Sequence, residues 1–408
     1  MADRQPSLHV GEAVLMAGSL VMLVASGAIG LRLGVGSPTS SATLHLHVHA
    51  GALGWMTLGV LGVASVMVGW PTDTDGTRRG WLGVLLSILT VVAVTGFVVE
   101  DGLGAGLVAW SGAAALAAIV ADVVWLVARW GRSGRVLTEP VLGMAAALIL
   151  LVAGTALGAG AAGNVGATGE LGSTHAVVLS FPFVLLAATS IVEWSVDARL
   201  VGTSHELGTV ELVQVGLLVL GAAALFAGFA ANNLALTEAN VPLQVGGIAI
   251  FLWRVGRRLF DTSWYRAGRS WLATCCVLLA AEAGLFAHVV FEIARQRYVS
   301  IDLVPPWLLF VLDHLTFVGI GTAALFGALA AMTEGAPDPG QWSDAPAASG
   351  VVLGIGLTAA GISMASQVAE AVGASLLGLS LLVAAVAAAV RVAHLWAADG
   401  WLTLSERA

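Results

Sequence analysis

Twelve separate stretches of this chain are each apolar enough, and at about 20 residues or more long enough, to cross a bilayer. They fall near 11–33, 44–70, 80–99, 105–128, 138–162, 173–196, 208–230, 240–260, 270–293, 304–332, 348–370 and 373–397, and leave no room for a water-soluble domain. An all-α polytopic membrane protein follows, with residues 1–408 as one integral membrane domain in the lipid bilayer. The composition points the same way: 58% hydrophobic residues against 10% charged cannot be folded into a globule that keeps its apolar surface from water. The net charge of −8 is carried by short loops and no basic stripe is present, which excludes nucleic acid as a partner. Cys275 and Cys276 are adjacent inside an apolar run, so they read as small apolar filler and not as a disulfide or a sulfur-ligated metal site. The N-terminal "MADRQPSLHVGEA" lacks a basic region followed by a cleavage site, so the first run reads as a retained span.

All 17 basic residues are arginines, and 11 of them lie in the connections holding "TRRG", "RWGRSGR", Arg199 and "RVGRRLFDTSWYRAGR". The opposite connections hold only Arg32, Arg295 and Arg297. An excess of arginine marks the cytoplasmic side. Both termini are therefore expected in the cytoplasm, in a membrane of the prokaryotic cytoplasmic type, with every even-numbered helix entering from the outer face.

On that topology the histidines form a layer towards the outer face. His45, His47 and His49 begin the second run, His175 begins the sixth, His288 lies near the end of the ninth, and His314 sits 8 to 10 residues inside the tenth. An imidazole well inside a bilayer is costly and usually faces a functional interior. It can also ligate a metal or haem iron while neutral. At about 1.5 Å per residue from the inner ends, His47, His49 and His314 lie roughly 34, 31 and 27 Å up their helices, which ordinary tilts can level. Two imidazoles at one depth on opposite sides of a planar macrocycle would make a bis-histidine haem. The residues four and seven beyond His47 are Gly51 and Gly54, a groove for a flat ligand; those beyond His49 are Leu53 and Met56. His47 is thus the expected partner of His314, and His49 the alternative ligand.

Histidines on the second, sixth and tenth of twelve spans resemble subunit I of the haem-copper oxidases and nitric oxide reductases, and the related NnrS-type membrane proteins. "HVHAGALGWMTLGVLG" (47–62) is similar to that family's H-x-H-x-x-x-x-G-W second helix, whose first histidine ligates the low-spin haem. "DHLTFVGIGTAALFGALAAM" (313–332) is similar to its tenth helix, and "STHAVVLSFPFVLLAATSIVEW" (173–194) falls where its sixth supplies a copper ligand. The resemblance implies helices in pseudo-threefold arcs of four, and haem ligation by His47 and His314. The chain also departs from the family. Leu179 stands where oxidases carry a tyrosine, and the seventh run, "ELGTVELVQVGLLVLGAAALFAGF" (206–229), has none of the histidines that complete a copper site. The tenth helix has Leu312 and Thr316 on either side of His314 where the family has a second histidine. A proton-pumping oxygen reductase is therefore not expected.

The expected function is that of a haem b-binding membrane protein without a complete copper site, acting in electron transfer or in handling or sensing nitric oxide or another diatomic gas. A small electron carrier or a redox partner subunit would serve it. Whether it is an enzyme is left open by the residues; if so it is an oxidoreductase. One alternative keeps a catalytic pocket like that of a nitric oxide reductase, in which His175 and His288, with Glu292, hold a second, non-haem metal beside a five-coordinate haem. Another is a twelve-helix proton- or metal-coupled transporter, for which Asp122, Glu211, Gln214, Glu282, Asp313 and Gln367 offer polar groups inside the spans. No C-x-x-C-H motif occurs, so covalent haem attachment is not expected on this chain.

Overall fold

The computed structural model describes residues 8–36, 40–69, 76–104, 106–133, 136–162, 175–197, 207–260, 268–295, 303–333, 338 and 340–405. Among them are twelve helices able to span a membrane: α1 (Val10–Gly34), α2 (Ser41–Val68), α3 (Gly80–Leu103), α4 (Val108–Ser133), α5 (Glu139–Ala162), α6 (His175–Asp197), α7 (Thr209–Ala230), α8 (Leu234–Phe260), α9 (Arg269–Ala294), α10 (Pro306–Met332), α11 (Gln341–Ser363) and α12 (Gln367–Ala397). The described residues contain no strand. Arg135, Arg199, Arg266, Arg297 and both tyrosines lie outside the described residues.

Burial divides the helices by a count of four. In α2, α6 and α10 the most apolar stretch is 78, 78 and 89% buried, against 28 to 50% for the other nine. These three are in contact with one another at the centre. Their neighbours present one face to the centre and expose Val, Leu and Trp side chains on the other, as lipid-facing helices do. Leu8 near the start of α1 donates its N–H to the Leu395 carbonyl near the end of α12, so the chain enters and leaves at one end of the bundle.

The bounds of α8, α11 and α12 differ from the sequence expectation. Helix α8 begins at Leu234 instead of near 240, because the Asn233 side chain accepts from the Leu236 N–H and caps it, after Asn232 has turned the chain at φ 47°. Helix α11 spans Gln341–Ser363 where 348–370 was expected, and α12 starts at Gln367 instead of 373. The polar opening of α11, with Pro346, reads as a loop in sequence. In the structure Pro346 lies inside the helix, near its start, and Asp344 is buried against Arg391 of α12, at 2.9 Å from two guanidinium nitrogens. Asp338 takes the other edge of Arg391 at 2.7 and 2.8 Å, and the Trp271 indole of α9 donates to Asp344 at 2.9 Å. This satisfied network fastens α9, α11 and α12 together. The α11–α12 break falls at Ala365, φ 52°, followed by Ser366, whose N–H returns to the Gly361 carbonyl.

Candidate functional site: paired histidines at one end of the bundle

The site begins with a change of helical pitch. Directly after His49, α2 widens into a π-helical segment at Ala50–Thr57, and directly after His314, α10 does the same at Leu315–Gly321. Such i→i+5 turns are rare and cluster at functional sites. They displace backbone groups from the regular ladder, and side chains here take them up. Ser19 of α1 donates to the Trp55 carbonyl at 2.7 Å, and Thr322 to the Phe317 carbonyl at 3.3 Å. The Trp55 indole donates to Thr322 at 3.1 Å, joining the two widened segments.

Above this junction the rings of His47 and His314 face each other with centroids 6.3 Å apart and planes 28° from parallel. Each is held by its Nδ1. His47 Nδ1 lies 2.9 Å from the Ser26 carbonyl of α1, and His314 Nδ1 lies 2.9 Å from the Phe310 carbonyl one turn earlier. A carbonyl only accepts, so both rings carry their proton on Nδ1 and keep a lone pair on Nε2. Ser26 Oγ, 3.1 Å from the same Nδ1, donates its own hydrogen to the His47 carbonyl at 2.9 Å. Phe310 also stacks on the His314 ring, with centroids 3.9 Å apart.

A cavity of about 250 Å³ adjoins the pair, between α1, α2, α10, α11 and α12. Its wall is apolar apart from the two imidazoles and a few groups such as Ser26, Thr358 and Glu370. Gly27 lines it, and a β-carbon there would meet nothing within 4 Å. Gly30 is required in a different way: a β-carbon would stand 2.7 Å from His47 Cε1, so only glycine lets the ring sit where it does.

The centroid separation is the one distance here that bears on the expected bis-histidine haem. Two imidazoles on one metal at bonds of about 2 Å have centroids roughly 6 Å apart, close to the separation seen here. Each ring keeps Nε2 free, and the cavity wall is mostly apolar and includes Gly27, Gly30, Gly34 and Gly51.

The structure sorts the other sequence candidates. Gly51 lines the cavity, whereas Gly54 packs against Met22 of α1, with its β-position 2.6 Å from Met22 Cγ. His49 turns from His314: its Nδ1 lies 2.7 Å from Asp101 of α3, and its ring meets Phe97 edge-on at 5.2 Å. His45, 3.7 Å from Asp101, is exposed at the rim. His175 directs Nδ1 to the Gly154 carbonyl of α5 at 2.7 Å. His288 is exposed, while Glu292 is buried and lies 3.5 Å from Arg295. Among the described residues no group of three or more His, Cys, Asp or Glu side chains is placed to hold a metal ion, so His175, His288 and Glu292 are not gathered into one.

Sequence reasoning missed the α1 wall. "SGAIG" (26–30) carries Ser26, Gly27 and Gly30, small residues that read as helix packing. Their spacing of one and four on a helix that precedes a histidine-bearing helix is the signal that was available.

Comparison with known proteins yields no matching family profile and no matching curated protein.

Proposed function

We propose that this protein is a haem b-binding electron carrier of the membrane, a divergent relative of haem-copper oxidase subunit I without a copper site, with His47 and His314 as axial ligands. The observation that carries this reading is the facing pair of imidazoles at 6.3 Å, each tied through Nδ1 so that Nε2 is free. A haem bound there supplies a one-electron iron couple. The chain does the rest. The Ser26 and Phe310 carbonyls set ring orientation and raise the basicity of both imidazoles, and the apolar wall excludes water. Held by both His47 and His314, such a group would serve electron transfer in preference to binding nitric oxide or another gas. The arginine distribution supports a reading with both termini in the cytoplasm and the histidine end at the outer face, in a membrane of the prokaryotic cytoplasmic type. A small electron carrier or a redox partner subunit on that side would exchange electrons with it.

The test is an absorption spectrum of protein purified from haem-replete cells, oxidised and reduced. A Soret band with sharp α and β bands on reduction is expected; a colourless preparation overturns the reading. Carbon monoxide added to the reduced protein should barely change the spectrum. A large shift would instead favour five-coordinate iron and the nitric oxide reductase-like alternative.

A further inference from the structure

At the end of the bundle away from the histidines, four helices bring buried charges together. Glu139 opens α5, Glu193 and Asp197 close α6, Glu211 and Gln214 open α7, and Arg254 and Arg258 close α8. Arg254 reaches Glu193 at 2.7 Å, Glu211 at 2.8 Å and the Gln214 side-chain oxygen at 2.8 Å. Arg258 pairs with Asp197. The Gln214 amide nitrogen then faces two carboxyl groups at once, Glu139 at 2.8 Å and Glu193 at 3.4 Å.

Among the described residues four carboxyl groups meet two guanidinium groups here, and Glu139 takes part in no ion pair. Glu139 and Glu193 are 3 and 1% exposed, and Gln214 is fully buried. Glu139 Oε2 is buried with no hydrogen-bond partner. Glu193 has Arg254 as its counter-ion at 2.7 Å, so the neighbouring Glu139 is the carboxyl whose ionisation would leave a buried anion beside another carboxylate, which is costly within a bilayer. A second unpartnered group lies one helical turn away. The Ser190 hydroxyl, 1% exposed and without a partner, lies against Gly143, one turn along α6 from Glu193 and one turn along α5 from Glu139. It stands on the α5–α6 seam, one turn from each member of the pair.

We infer that Glu139 and Glu193, bridged by Gln214, form a binding site for one exchangeable proton at the arginine-bearing end of the bundle, with Ser190 the next polar group towards the core. The site is separate from the histidine pair and does not depend on whether haem binds there. Its ligand is the proton, which moves between water at that end and the carboxyl pair with no change in covalent or redox state. Arg254 keeps Glu193 and Glu211 in place, and Glu139 is the member left to carry the hydrogen.

Infrared difference spectroscopy on the full-length protein in lipid nanodiscs tests this directly, because the C=O stretch of a carboxylic acid is resolved from that of a carboxylate. The wild-type protein at neutral pH should show an acid C=O band that shifts in D2O. Glu139→Gln and Glu193→Gln should each remove that band, and Glu211→Gln, at the edge of the cluster, should keep it. If neither buried variant folds, Gln214→Leu should shift the band by removing the shared donor. An unchanged acid band in Glu139→Gln, a band that fails to shift in D2O, or no acid band in the wild type overturns the proposal.

Discussion

Helices α1–α2 and α5–α6 build the same seat for a histidine and then use it differently. His47 and His175 each direct Nδ1 to a backbone carbonyl 21 residues upstream, Ser26 and Gly154 respectively. Four residues past each carbonyl is a glycine, Gly30 or Gly158, whose β-position would lie 2.7 or 2.6 Å from the imidazole Cε1. The difference lies four residues past each histidine. In α2 that residue is Gly51, which lines the cavity; in α6 it is Leu179, buried against Gly154 at 2.6 Å from its β-position. Two residues further on, Phe181 stacks on Phe286 of α9, at 4.4 Å between centroids. One seat thus opens on a cavity with a facing imidazole, and the other on packed side chains. A histidine seat alone does not make a ligand site; the residue one turn further on decides whether anything can reach it.

The largest contrast between the seats should appear on removing the imidazoles. On the proposed reading His314→Ala should abolish the haem spectrum, because among the described residues no other imidazole would face His47. His175→Ala should leave the reduced spectrum unchanged. Equal loss in both variants would mean that the α6 seat also holds the cofactor.

Converting one seat into the other is the next strongest test. Gly51→Leu places in α2 the side chain that fills the space beside His175. It should reduce bound haem at least tenfold, read as Soret absorbance per protein, while the helical content by circular dichroism stays as in the wild type. Retention of full haem would show that the cavity wall at Gly51 is not used.

How much of this was legible in the sequence depends on how locally each feature is encoded. The twelve spans are encoded by continuous apolar runs, and those runs were enough to place them. The pairing of His47 with His314 was also accessible, because Gly51 and Gly54 fall at helical spacing from His47, although Gly54 proves to serve packing against Met22. The start of α11 was not, since Asp344 reads as a loop residue until Arg391, 47 residues on, is seen to neutralise it. The Glu139–Glu193 pair was hidden for the same reason. Its members sit at the ends of different helices, 75 and 21 residues from the Gln214 that joins them, and no local pattern marks them.

The reverse exchange in α6 should act on stability and not on the cofactor. Leu179→Ala removes a side chain buried to 6% exposure and leaves a void beside Gly154. Large-to-small core changes cost about 2–5 kcal/mol, and the lower end applies here because lipid offers little hydrophobic driving force beyond packing. A lower thermal midpoint with an unaltered haem spectrum is expected. An altered spectrum would mean that the two seats are coupled through α10.

The smallest effect belongs to Ser26→Ala. The substitution removes the hydroxyl at 3.1 Å from His47 Nδ1 but keeps the Ser26 carbonyl at 2.9 Å, which alone is sufficient to hold the proton on Nδ1. The ring should keep its tautomer and the protein its haem. The hydroxyl's own bond to the His47 carbonyl at 2.9 Å is lost, at about 1 kcal/mol for a neutral hydrogen bond. A redox titration should therefore find a small change in midpoint potential at full haem occupancy. The α5–α6 seat already shows the consequence for geometry: Gly154 supplies only a carbonyl to His175, at 2.7 Å, and the imidazole is still seated. Loss of haem in Ser26→Ala would mean that the hydroxyl, and not the carbonyl common to both seats, is what orients His47.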